Sequence, residues 1–288
     1  MAHFTPYSVA IITPYSKEDT VDEASIHRMV QYYEQHQVPA LLVSGSTGEQ
    51  HSLTIEERIR LYQAVKDAAS ESMPLYSGVA AIRNRDAVRL AEEAERTGMS
   101  AIMLGFPPYI RPNQREAAAY VEAVTSAISL PIMLYNNPVR TGFNLEPDTL
   151  IRLVQNNPQI TALKEAGNPE NVKHIKAELG AEFQVLSGMD LTITDYFKKG
   201  YDGLTSVAGN LFPVELSEIM EHLRSDQLDQ AEIKLNHLKP HLELMGSIGW
   251  IRVIRHVFAK QGIIASHCRE PLSPLTEEEA IACQSVFK

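Results

Sequence analysis

Lys164 closes the apolar run Ile160-Thr161-Ala162-Leu163 and is followed at once by Glu165-Ala166-Gly167. A lysine at the carboxyl end of a buried strand is costly, because its ammonium loses hydration there. Desolvation favours the neutral amine, and a neutral amine attacks carbonyl carbon. Lys164 is therefore a candidate Schiff-base nucleophile; the plainer alternative is a strand-end lysine that extends to solvent. Other residues with useful chemistry follow similar apolar runs. Ser44-Gly45-Ser46-Thr47-Gly48-Glu49 joins hydroxyls, amides and two glycines, a set suited to holding a carboxylate, although a simple helix-entry turn has the same composition. Prolines stiffen Phe106 to Pro112 and present Tyr109. Tyr135 ends the run Ile132-Met133-Leu134, and Arg140 lies just beyond it, a planar donor fork suited to a substrate carboxylate or to a surface ion pair. Ser187-Gly188-Met189-Asp190 and Thr205-Ser206 complete the set, with Gly188 allowing a ligand close to the backbone.

The elements that position these residues are legible from hydrophobic period. Short apolar runs occur at Val9–Ile12, Ala40–Val43, Leu75–Val79, Ala101–Leu104, Ile132–Tyr135, Ile160–Leu163, Phe183–Leu186 and Leu204–Val207. Near-continuous apolarity suits strands covered on both faces, as in a parallel sheet. Between them, Ile26, Met29, Val30 and Tyr33 repeat at helical spacing, as do Ile55, Ile59, Tyr62 and Val65, and Ala117, Tyr120, Val121 and Val124. Thr54 with Glu57, and Asn113 with Glu116, have the spacing of capping boxes. Strand then helix, repeated around the chain, predicts a (β/α)8 TIM barrel over residues 1–222. A doubly wound open sheet is the alternative, but Thr13-Pro14-Tyr15-Ser16 after the first run lacks the glycine-rich phosphate turn usual there. From 223 to 288 strand signals stop, and Leu228–Leu238, His241–Gln261 and Thr276–Phe287 read as a helical C-terminal extension.

In a barrel, chemistry gathers where strands end and the loops toward helices begin, so these motifs share one rim. Composition narrows their partners. The net charge of -10, without a long basic run, disfavours nucleic acid and anionic membranes. No window reaches a membrane-span length, the N-terminus has no secretion signal, and the two cysteines fit reduced thiols, so a cytoplasmic location is expected. The ten histidines show no metal-ligand spacing; neither a metal nor an organic cofactor is expected.

Together the motifs identify a family. Val9-Ala10-Ile11-Ile12-Thr13-Pro14, Gly45-Ser46-Thr47-Gly48-Glu49, Tyr135-Asn136-Asn137-Pro138 through Gly142, Lys164-Glu165-Ala166 and Ser187-Gly188-Met189-Asp190 resemble the pyruvate-dependent class I aldolase family that contains 4-hydroxy-tetrahydrodipicolinate synthase and N-acetylneuraminate lyase. The resemblance implies that Lys164 forms an imine with pyruvate and that Tyr135 shuttles protons. It implies that Ser46 and Thr47 hold the pyruvate carboxylate and continue the relay, with Gly188 and Thr205 lining that site. It places Tyr109 across a dimer interface, in a homodimer or homotetramer, and Arg140 against the carboxylate of a small aldehyde. Arg140 favours the synthase branch, in which the aldehyde is aspartate 4-semialdehyde. The alternative is a pyruvate aldolase or dehydratase acting on a 2-oxo-3-deoxy sugar acid. The chain departs from the synthase pattern at Gly246-Ser247-Ile248-Gly249-Trp250-Ile251-Arg252, where an Asn-Pro-Ile-Pro-Val-Lys-like stretch is usual.

Overall fold

The computed structural model describes residues 4–287. Eight parallel strands close into a barrel in chain order, β1 (Tyr7–Ala10), β2 (Leu41–Val43), β3 (Leu75–Val79), β4 (Ala101–Gly105), β5 (Ile132–Asn136), β6 (Ile160–Glu165), β7 (Gln184–Ser187) and β8 (Gly203–Ser206). Every apolar run of the sequence contributes one of them. The helices between them are α1 (Glu23–Gln35), α2 (Ile55–Ala68), α3 (Asn84–Arg96), α4 (Gln114–Thr125), the single turn α5 (Pro138–Thr141), α6 (Pro147–Asn156), α7 (Asn171–Leu179) and α8 (Ile193–Lys198), with α9 (Pro213–Arg224) after β8. Beyond them lie α10 (Leu228–Ile248), α11 (Trp250–Lys260) and α12 (Glu277–Val286).

Alternation along the strands divides the core into two bodies. Met133 of β5, Ala162 of β6 and Leu186 of β7 pack inside the barrel with Ala10, Leu42 and Met103. Their neighbours Leu134, Leu163 and Val185 face outward into the larger layer between strands and helices. Burying each of these Leu or Val side chains contributes roughly 1.5–3 kcal/mol. Successive inward positions carry the chain from this apolar interior to the mouth, so Tyr135 and Lys164 follow Met133 and Ala162 on the same face. Register sets them side by side, with Tyr135 opposite Lys164 across the β5–β6 ladder.

Both capping boxes form. Thr54 Oγ1 accepts from the Glu57 amide at 3.1 Å and Asn113 Oδ1 from the Glu116 amide at 3.0 Å. The C-terminal helices differ from the sequence reading in where they break. The chain passes through Pro240 without interruption in α10 and breaks instead at Gly249, which has φ 120° and ψ 112°. Pro240 is exposed, as is Asn236, whose carbonyl lacks its helical donor at a position water can reach. Gly249 takes a backbone conformation that an L side chain resists.

Candidate active site

Lys164 is 5% exposed at the end of β6. Its Nζ stands 4.9 Å from the ring centroid of Tyr135 on one side. On the other lies Gly188, just past β7, where an added Cβ would come within 2.6 Å of Lys164 Cε. Burial pushes the amine below the usual lysine range, and the Arg140 cation adds to this, while Tyr135 and Asp190 oppose it. Asp190 is itself pushed up by burial, against hydrogen bonds donated by Ser206 Oγ and, at 3.1 Å, by the Val207 amide. The lysine thus sits in a place that disfavours charge, as imine chemistry needs.

The Tyr135 hydroxyl accepts from Asn137 Nδ2 at 2.7 Å. Asn137 also caps α5, its Oδ1 accepting from the Arg140 amide at 3.1 Å. One side chain therefore fixes both the phenol and the turn that carries Arg140. Pro138 at the first helical position presets this turn, and Gly142, with φ 71°, ends it. On the outer face of the same strands, Asn136 Nδ2 donates to both oxygens of Glu165 at 3.0 and 3.1 Å, and the Gly167 amide donates to Glu165 as well. This clamp ties β5 to β6 directly behind the Tyr135–Lys164 pair.

The loop bearing Ser46 and Thr47 is held in an unusual shape. Ser44 and Glu49 both have φ 57°. Arg58, buried under the loop, donates to Ser44 Oγ at 3.0 Å and to the Gly78 and Ala80 carbonyls at 2.7 and 2.6 Å. Thr13 Oγ1 donates to the Gly48 carbonyl at 2.7 Å. At the loop's end, Glu49 pairs with Arg255 of α11, both essentially unexposed.

These groups surround a cavity of about 200 Å³ lined by Lys164, Tyr135, Ser46, Thr47, Arg140 and Gly188. A groove of about 610 Å³ shares Ser46, Tyr135 and Arg140 with it and leads outward past Pro108 and Val139. Two expected site residues are not brought to the cavity. Thr205 lies deeper in the barrel, where its hydroxyl accepts from Ser8 Oγ at 3.1 Å, and Val207 is the β8-side residue that reaches the cavity. Tyr109 is 90% exposed with φ 75°, and it does not line the cavity. Conversely, Asn137, Asp190, Trp250 and Ile251 line the cavity although the sequence assigned them no role. Asn137 and Asp190 lay within recognised motifs; Trp250 and Ile251 lay in the stretch that departs from them. A buried amine whose charge is disfavoured, a phenol, loop hydroxyls and one arginine at one mouth of the barrel together suit covalent capture of a 2-oxo acid followed by proton transfer.

Known proteins resemble this chain over nearly its whole length. The model of the dihydrodipicolinate synthetase family matches residues 3–288. The chain is 30% identical over 286 residues to a 4-hydroxy-tetrahydrodipicolinate synthase of Bacillus subtilis, covering 99% of each. It is 32% identical over 273 residues to one of Chlorobium phaeobacteroides, covering 94% of this chain and 92% of the relative. Among solved structures, the dihydrodipicolinate synthase of Aquifex aeolicus superposes with a TM-score of 0.94 at 26% identity, over 98% of this chain and 97% of that one.

Proposed function

Because this chain belongs to the dihydrodipicolinate synthetase family, we propose that it condenses pyruvate with L-aspartate 4-semialdehyde to 4-hydroxy-tetrahydrodipicolinate through a Schiff base on Lys164. The observation that carries this reading is the buried, charge-disfavoured amine of Lys164 packed between the Tyr135 ring and Gly188.

Lys164 Nζ attacks the keto carbon of pyruvate, and loss of water leaves an iminium. The iminium draws electrons from the adjacent methyl group, which gives up a proton and becomes an enamine carbon. That carbon bonds to the aldehyde carbon, whose oxygen takes a proton. The amino group of the semialdehyde then attacks the iminium carbon, releases Lys164 and closes a six-membered ring. Two substrates therefore leave as one ring and one water. Tyr135 stands beside the amine and is the group to carry protons to and from the carbinolamine oxygen, with Asn137 holding its hydroxyl in place. Ser46 and Thr47 receive the pyruvate carboxylate, beside the bare backbone at Gly188. Arg140 meets the carboxylate of the aldehyde.

Tyr109 acts, in this reading, from a second copy of the chain, since its own barrel leaves it exposed. A homodimer or homotetramer would then complete the relay. Steady-state turnover tests the whole proposal: aspartate 4-semialdehyde should be used far better than aldehydes that yield 2-oxo-3-deoxy sugar acids. The opposite order would refute the synthase assignment.

A further inference from the structure

A second cavity lies among the C-terminal helices. It holds about 470 Å³, against about 200 Å³ around Lys164, and shares no lining residue with that site. α10 contributes His241 to it, and α11 contributes His256 and Lys260. Phe212, just before α9, and Phe287, just after α12, complete the walls that matter here. The volume lies within the range of small-molecule sites, roughly 300–1,000 Å³.

One side of the cavity is built of rings. Phe212 and Phe287 stack with centroids 5.8 Å apart and planes inclined by 28°. His241 meets both of them nearly edge-on, at 5.1 and 5.6 Å. These are the spacings of attractive ring pairs, and a flat ring brought beside them gains the same kind of contact. His241 Nδ1 is buried, and no described group of the protein hydrogen-bonds to it. A buried polar atom in that condition gains from any ligand group that reaches it.

The opposite side carries positive charge. Burial holds His256 below the usual imidazole range, and the nearby Lys260 cation lowers it further. His256 is therefore mostly neutral at pH 7, and Lys260, exposed at the rim, supplies the charge. Among the described lining residues there is no Asp or Glu. In a chain of net charge -10, this is a local reversal of sign. It favours one anionic group and offers no carboxylate to a ligand ammonium.

We propose that this cavity binds a small aromatic monocarboxylate, with its ring against Phe212, His241 and Phe287 and its carboxylate toward Lys260. The site is separate from the one that takes pyruvate, so the two ligands occupy the protein together.

The test titrates the intact protein with 2-naphthoate, followed by its fluorescence. Saturable binding is expected with a Kd on the order of 0.1–1 mM, and excess pyruvate should not displace the probe. The neutral analogue 2-naphthylmethanol should bind the wild type about 5-fold more weakly, the contribution of one exposed charge pair. Lys260→Gln should bring the two affinities to within about 2-fold of each other. Phe287→Leu should weaken both ligands by about 3- to 10-fold, the worth of a lost ring pair. The ratio of the two affinities isolates the charge from any general disturbance of the helices, so a merely structural role for Lys260 would leave it unmoved. Absence of saturable binding, displacement by pyruvate, an unchanged ratio in Lys260→Gln or unchanged affinities in Phe287→Leu overturns the proposal.

Discussion

Replacing Gly188 by alanine probes how tightly Lys164 must be placed. An added Cβ would stand 2.6 Å from Lys164 Cε and 3.3 Å from Nζ. Contacting carbons settle at about 3.5–4.0 Å, so the end of the lysine must retreat by about 1 Å. The atoms that give way are the far end of a flexible side chain, and the backbone at 188 is not in the left-handed region, so the fold should tolerate the change. Catalysis should not, because a misplacement of about 1 Å at a reacting group costs on the order of 10²-fold. The assay is single-turnover trapping: pyruvate and borohydride are added together, and the modified fraction is read by mass against time. Gly188→Ala should melt within about 4 °C of the wild type and trap about 10²-fold more slowly. Trapping at the wild-type rate would mean that the position of Lys164 against β7 is irrelevant to its chemistry.

Other changes separate the remaining parts of the site. Tyr135→Phe should lower turnover by roughly 10²-fold or more while the barrel stays folded, and an undiminished rate would remove Tyr135 from the proton path. Burial pushes the Glu165 carboxyl up from 4.5 to about 7, against the hydrogen bonds from Asn136 and Gly167. The native protein then holds a proton that the unfolded chain has released, so this residue's contribution to stability is present below pH 4.5 and is lost as pH rises to about 7. The loss is about 3 kcal/mol in all. Glu165→Gln should therefore gain on the wild type in urea unfolding as pH rises through that window, and a pH-independent difference would contradict this. Arg255→Met leaves Glu49 buried and unpaired beside the Ser46–Thr47 loop and should cost about 3–5 kcal/mol, most of it recovered in the Glu49→Gln, Arg255→Met double variant. Additive losses in that cycle would show that the pair is not coupled.

The barrel was legible because its strands are covered on both faces, so each appears as an unbroken apolar run, and the helices between them keep a helical period. Facing was legible too: alternation puts Tyr135, Lys164 and Thr205 inside the barrel. Depth was not. Thr205 points inward but sits below the mouth against Ser8, and only Val207, two residues on, reaches the cavity. Local signals also mislead where solvent or backbone geometry decides. Pro240 looks like a stop, yet the helix passes it on an exposed face, whereas Gly249 breaks the chain through its backbone angles. Asn137 was visible only as part of a motif, because its bonds to Tyr135 and the Arg140 amide depend on where one side chain turns. Trp250 arrives from a helix some 86 residues beyond Lys164 in the numbering, and no periodicity joins the two.

Covalent capture is the claim from which the rest follows. Intact protein incubated with pyruvate and borohydride, digested and sequenced by mass, should carry one irreversible pyruvyl adduct, located on Lys164, and Lys164→Ala should carry none. An unmodified wild type, or an adduct on any other residue, would contradict the account.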